Sequence, residues 1–212
     1  MILHGYWRSS ASYRTRIALN LKGARYEQRA YDLRTGAQNG PGYAALNPQM
    51  LVPALEVDGR ILTQSPAILE WLEERYPQPP LLPREAEARA QARAMAAVIG
   101  CDVHPLNNLR VLAALRGEFG ADSAAVQRWV ARWIGDGFAA LERLIARHGG
   151  RYAYGDTPTL VDCYLVPQLF AAERFGVDVA PFPRLAAAAS AARALPEVQA
   201  AHPDRQPDAD AP

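Results

Sequence analysis

Between residues 126 and 145, Val126, Trp129, Val130, Trp133, Ile134, Phe138, Leu141, Leu144 and Ile145 recur every three or four positions, which places them on one face of a helix. Asp122 or Ser123 caps its start and Gly149-Gly150 stops it. A second helix opens at Thr159-Leu-Val-Asp162 and runs to about 174; Asp162, three residues after the threonine, can bond back to an unpaired N–H. A helix from 84 to about 100 is expected to continue, bent at Pro105, to about 115. Shorter helices are expected over 183–194 and 197–201, before a Pro/Asp-rich tail expected to fray. No strand pattern occurs anywhere in this stretch.

The first eighty residues are patterned differently. A strand is expected at 2–7, a helix at 10–22 closed by Gly23, and a strand at 26–31. After a polar loop come a strand at 52–57, Asp58-Gly59 as a hairpin turn, a returning strand at 61–63, and a helix beginning at Ser65-Pro66. The order is βαβ followed by ββα. The prolines of Pro77-Gln-Pro-Pro-Leu-Leu-Pro83 cannot continue a helix, so the chain divides into an α/β domain over 1–80 and an all-α domain over 86–212.

Composition narrows the function classes. With 212 residues, half of them apolar, the chain can bury a real core in one or two domains. A formal net charge of +1 gives no global reason to expect nucleic acid or a membrane surface as partner. Lys22 is the only lysine, so nearly all positive charge is guanidinium, a fork suited to carboxylates where charge serves function; an Arg- and Ala-rich genome composition is the plainer cause. Cys101 and Cys163 form no C-x-x-C pair, which argues against a disulfide scaffold, a zinc site or a dithiol redox centre; both are expected to be packing residues. With no signal segment and no apolar run of the ~20 residues a bilayer requires, a reducing cytoplasm is the expectation.

The βαβ–ββα order suggests thiol chemistry at the first strand-to-helix turn, which reads Trp7-Arg8-Ser9-Ser10-Ala11-Ser12. It holds no cysteine, so the sulfur must arrive with a diffusible cofactor. A serine hydroxyl and the positive helix end would favour thiolate over thiol; the alternative is that Ser9 or Ser10 simply caps the helix. Val52-Pro53 stands just before a strand, where the bond can be cis and the Val52 backbone can face an extended peptide. Gln64-Ser65-Pro66, at another helix start, can receive a carboxylate or merely cap.

These strings, with Arg14-Thr-Arg16-Ile-Ala-Leu, Ala45-Leu-Asn-Pro48 and Gly155-Asp156, resemble the zeta class of glutathione transferases. Cys101-Asp-Val-His-Pro-Leu-Asn-Asn-Leu-Arg110, Leu165-Val-Pro-Gln168 and Glu173-Arg-Phe175 extend the likeness over nearly the whole chain. The resemblance implies a thioredoxin-like domain joined to a helical domain, a homodimer, and reduced glutathione as cofactor. It implies Ser9, Ser10 and Arg14 at the thiol end, with Gln38, Val52, Pro53, Gln64 and Ser65 along the tripeptide. His104 and Asn108 are implied as further glutathione contacts, and Arg8, Arg110 and Arg174 as cations for a substrate with two carboxylates. Three plainer roles stay open: His104 and Asn108 at a helix kink, and Arg174 capping its own helix. Ala11 stands where many relatives have cysteine.

The implied reaction is cis–trans isomerisation of a maleyl keto acid, maleylacetoacetate in tyrosine and phenylalanine breakdown or maleylpyruvate in gentisate breakdown. A general glutathione transferase or dehalogenase, and a non-catalytic binding protein on the same fold, are the competing classes.

Overall fold

The structure is a computed structural model describing residues 1–210. Strand β1 (Ile2–Gly5) pairs in parallel with β2 (Glu27–Ala30) and antiparallel with β3 (Ala54–Val57), which pairs antiparallel with β4 (Arg60–Thr63), giving the order β2-β1-β3-β4. The β3–β4 turn is Asp58-Gly59 with both φ positive (48° and 71°), as a two-residue hairpin requires. Helix α1 (Ser10–Leu21) is buried without interruption from Ala11 to Leu19 and packs with α3 (Ser65–Arg75). Ile17, Ala18 and Leu19 join Leu3, Leu55, Ile68 and Leu72 in the core of this unit. Gly23, at φ 62°, closes α1. The sole lysine is buried here, its Nζ donating to Glu73 Oε2 and to the Pro79 carbonyl, both at 2.6 Å.

Several expectations change. The first strand stops at Gly5 because the Tyr6 N–H turns to the Ser12 hydroxyl at 3.3 Å. The polar loop holds a 3-10 turn (Ala37–Asn39) and helix α2 (Pro41–Leu46), started by Pro41 at its first position.

The helical unit begins at Leu81, and it ends at Arg193 rather than at the chain terminus. In it lie α4 (Ala86–Ala97), α5 (Leu109–Gly117), α6 (Ser123–His148), α7 (Leu160–Arg174) and α8 (Pro183–Arg193). The α6 stripe lies as its spacing predicts, with Val126, Val130, Ile134, Phe138, Leu141 and Ile145 buried and Asp122 accepting from the Ala125 N–H at 2.7 Å. The expected bend at Pro105 is instead a break. Helix α4 passes into a π-helical turn (Val98–Val103), then a 3-10 turn (Pro105–Asn107), before Asn108 caps α5 afresh. The π turn sits where side chains press on glycine backbone: a Cβ on Gly100 would lie 2.8 Å from the Tyr164 ring, and one on Gly137 2.2 Å from the Val103 side chain. Thr159 and Asp162 form the capping box of α7. Cys163 is buried, but Cys101 is exposed, so it is not the packing residue expected.

Residues from 194 onward belong with the sheet unit. Helix α9 (Pro196–Ala200) packs on α1, and the buried Arg16 guanidinium donates through Nε to the Ala201 carbonyl at 3.0 Å. The tail does not fray up to Asp210, because Gln206, Asp208 and Asp210 each bond the sheet unit. Ala211 and Pro212, the end of the expected 86–212 domain, lie outside the described residues. Among the described residues no helix is long and apolar enough to cross a membrane.

Candidate functional site

Topology gathers the sheet unit's candidate residues on one edge. Strand β1 ends there, β3 starts there and β4 ends there, since His4 pairs with Ala54 and Ala54 with Thr63. Helices α1 and α3 therefore both open their N-termini, with unpaired N–H groups, at that edge.

Ser9 caps α1, its Oγ accepting the Ser12 N–H at 3.2 Å. The capping role and a donor role coexist, because the accepted bond leaves the Ser9 O–H proton to give. Ser10 is the first residue of α1, half-buried, and among the described residues nothing bonds its hydroxyl. Ala11, next along the helix, is buried. Arg14, expected at the thiol end, is 2% exposed and sends Nη1 to Ser65 Oγ at 3.1 Å. Its bond ties α1 to the start of α3. Ser65 is therefore held by a cation while it opens α3.

Gln64 precedes it at φ 67° and ψ 110°, a conformation unusual for a residue with a Cβ. Its Nε2 donates to Gln49 Oε1, a partner the sequence did not single out. The Val52–Pro53 bond is cis. Tyr43 Oη and Asn47 Nδ2 both donate to the Leu51 carbonyl at 2.7 Å. Burial pushes the Tyr43 phenol up to about 12, which keeps it a donor. The Val52 N–H and C=O have no partner among the described residues, as an edge awaiting an extended peptide requires. Gln38, in the 3-10 turn, has a buried Oε1 without a partner among the described residues. These orphaned groups and the two helix N-termini fit a tripeptide bearing carboxylates.

Arg8 stacks over the Trp7 ring, its Cζ 5.4 Å from the centroid; it forms no salt bridge among the described residues, although its charge adds to the lowering of the Asp32 carboxyl that Arg34 chiefly causes. In the helical unit, His104 closes the π turn through its N–H to the Ile99 carbonyl at 2.8 Å. Asn108 caps α5, its Oδ1 accepting the Arg110 N–H at 3.2 Å. Arg110 is exposed and also free of carboxylates among the described residues. Arg174 sits in the last turn of α7, its Cζ 4.8 Å from the Phe175 ring centroid.

Residues that sequence reasoning missed hold the first turn in place. Ser12 takes the Tyr6 N–H, Arg16 Nη2 gives to the Trp7 carbonyl at 2.8 Å, and Asp208 Oδ2 takes the Trp7 N–H at 2.9 Å. An arginine inside an apolar helix face was the available signal for Arg16; Asp208 left none.

Residues 8–75 match the family described as glutathione S-transferase, N-terminal domain, and residues 123–194 its C-terminal domain. The chain is 52% identical over 210 residues to a maleylpyruvate isomerase of Ralstonia, covering 98% of this chain and 99% of that one. It is equally 52% identical over 211 residues to a maleylacetoacetate isomerase of Pseudomonas aeruginosa, covering 98% of each. A maleylacetoacetate isomerase of Methylobacterium extorquens AM1, solved with bound malonate and glutathione, superposes with a TM-score of 0.95 at 41% identity over 100% of both chains.

Proposed function

The chain belongs to the glutathione S-transferase family, and from that premise we propose that it is a glutathione-dependent cis–trans isomerase converting maleylacetoacetate to fumarylacetoacetate in tyrosine and phenylalanine breakdown. The observation that carries the proposal is the first turn, where two serine hydroxyls meet the N-terminus of a buried helix and no cysteine is present. When bound, glutathione supplies a soft nucleophile able to add to and leave an electron-poor double bond without being consumed.

The protein's part is to hold and ionise that thiol. A thiol of pKa near ~8.5 is only a few per cent ionised at neutral pH, and lowering it by about two units gains roughly tenfold or more in thiolate. Ser9 or Ser10 donates to the sulfur beside the positive end of α1. Val52 pairs its N–H and C=O with the tripeptide, and Ser65, steadied by Arg14, receives a carboxylate. Gln38, Gln64, His104 and Asn108 are the further proposed glutathione contacts. Arg8, Arg110 and Arg174 are proposed to bind the keto acid's carboxylates and to stabilise enolate charge as it develops. On the family likeness alone we propose a cytoplasmic homodimer.

Maleylpyruvate is the second substrate reading, favoured by the equal identity to the Ralstonia relative. Liquid chromatography coupled to mass spectrometry after many turnovers resolves the cis and trans acids and separates isomerisation from conjugation or dehalogenation. The expected result is glutathione recovered unchanged beside a fumaryl acid; stoichiometric conversion of glutathione to an adduct would overturn the proposal, and a protein inert toward both acids would be a binding protein.

A further inference from the structure

The turn that carries Ser9 and Ser10 is fixed through its main chain. The Gly5 carbonyl accepts from the Tyr31 N–H at 2.8 Å, the Tyr6 carbonyl from the Ser9 N–H at 3.1 Å, and the Ser9 carbonyl from the Tyr13 N–H at 2.8 Å. The Tyr6 N–H goes to Ser12 and the Trp7 carbonyl to Arg16. One bond comes from far along the chain, the Trp7 N–H to the Asp208 carboxylate, 201 residues away.

We propose that Asp208 is a positioning residue for the thiol site: by holding the Trp7 N–H it fixes the plane of the peptide entering the turn, and so the direction in which the Ser9 and Ser10 hydroxyls point. The proposal rests on the glutathione-dependent reading above. Two observations separate it from simple anchoring of the tail.

First, the tail is secured on both sides of Asp208 without it. Gln206 is buried, donating to the Ala200 and His202 carbonyls at 3.0 and 2.7 Å and accepting from Gln28 at 2.8 Å. Asp210 takes a two-pronged bond from Arg34 at 2.8 and 2.9 Å. The Asp208 carboxylate is thus presented to Trp7 by contacts that do not depend on their own bond. Second, the bond lands two residues before Ser9. The Trp7 N–H is a main-chain donor in a residue only 8% exposed, so without an acceptor its peptide must rotate to find one. A site that ionises a thiol through hydroxyl donors tolerates displacements of only about 0.5 Å.

The experiment compares Asp208→Ala, Asp208→Asn and Asp210→Ala with the unaltered protein. Asparagine keeps an oxygen acceptor without the charge, and Asp210→Ala loosens the tail without touching the turn. The ultraviolet thiolate band of bound glutathione is titrated against pH, alongside kcat, glutathione KM and thermal midpoint. Asp208→Ala is expected to raise the thiolate midpoint by about half to one pH unit and to lower kcat at neutral pH about five- to twentyfold, with KM within about twofold. Asp208→Asn is expected to restore most of both, and Asp210→Ala to change neither. An alanine variant with the original midpoint and kcat, an asparagine variant no better than alanine, or an equal loss in Asp210→Ala would each overturn the proposal.

Amide hydrogen exchange at Trp7 without glutathione tests the clamp independently of the reaction. Exchange in Asp208→Ala is expected to quicken about tenfold or more, and unchanged exchange would refute the clamp. Absence of any thiolate band in the unaltered protein would instead refute the glutathione reading, with the Trp7 exchange still deciding the clamp.

Discussion

Replacing Asp162 with alanine probes how burial and hydrogen bonding compete at the start of α7, the helix that carries Arg174. The carboxyl accepts the Ala153 N–H at 3.0 Å through Oδ1, and the Thr159 N–H at 2.8 Å and hydroxyl at 3.1 Å through Oδ2, in a position 1% exposed. Alanine leaves two buried N–H donors without acceptors, each costing about 1–3 kcal/mol. An opposing effect depends on pH. Burial outweighs the bonds to the charged form and pushes the carboxyl up to about 6, above an ordinary value of 3.8. The folded protein then holds this proton more tightly than the unfolded chain does. The resulting stabilisation is full below about pH 4 and is lost as pH rises through about 6. Between pH 4.5 and 7.5 that loss amounts to about 2 kcal/mol, and the alanine variant does not share it. Urea unfolding followed by tryptophan fluorescence at the two pH values should therefore show Asp162→Ala costing about 2 kcal/mol more at pH 4.5 than at pH 7.5. An equal cost at both, or a greater cost at pH 7.5, would show that the N–H donors outweigh burial and hold the carboxylate charged.

Other perturbations test other joints of the structure. Arg16→Met leaves the Trp7 and Ala201 carbonyls without their donor and should cost about 2–4 kcal/mol, with new protease cleavage after residue 194; a protease-resistant tail would contradict its anchoring role. Tyr43→Phe removes one of two donors to the Leu51 carbonyl and should weaken glutathione binding about two- to fivefold by calorimetry, with unchanged affinity showing that Asn47 alone suffices. Arg8→Ala and Arg110→Ala should each raise KM for the keto acid about tenfold at constant glutathione affinity, whereas equal losses for both ligands would place these cations elsewhere.

What could be read from the sequence was local. The α6 stripe, the Asp58-Gly59 hairpin, the Ser9 cap and the Thr159–Asp162 box each rest on residues within a few positions of one another, where spacing dictates geometry. Ser9, Ser10, Val52, Gln64 and Ser65 were marked by their places at strand and helix starts and Arg14 by likeness, while their meeting follows from strand register, as in the His4–Ala54 and Ala54–Thr63 pairs. What escaped was contact across sequence distance. Arg14 bonds Ser65, and Asp208 bonds Trp7, across intervals that no periodic pattern encodes. The tail was expected to fray from its composition, but Gln206, Asp208 and Asp210 find partners on elements laid down near the other end of the chain. Helix α2 escaped for another reason: Gly40-Pro41-Gly42 reads as a turn, although Pro41 is suited to a first helical position.

The most direct test of the central claim is a spectrophotometric isomerisation assay on freshly generated maleylacetoacetate and maleylpyruvate, each with and without glutathione, repeated with Ser9→Ala and Ser10→Ala. The account predicts conversion to the fumaryl acid only when glutathione is present, faster with maleylacetoacetate, and slowed about tenfold or more in at least one serine variant that still binds glutathione. Conversion without glutathione, or no conversion of either acid by folded, glutathione-binding protein, would contradict it.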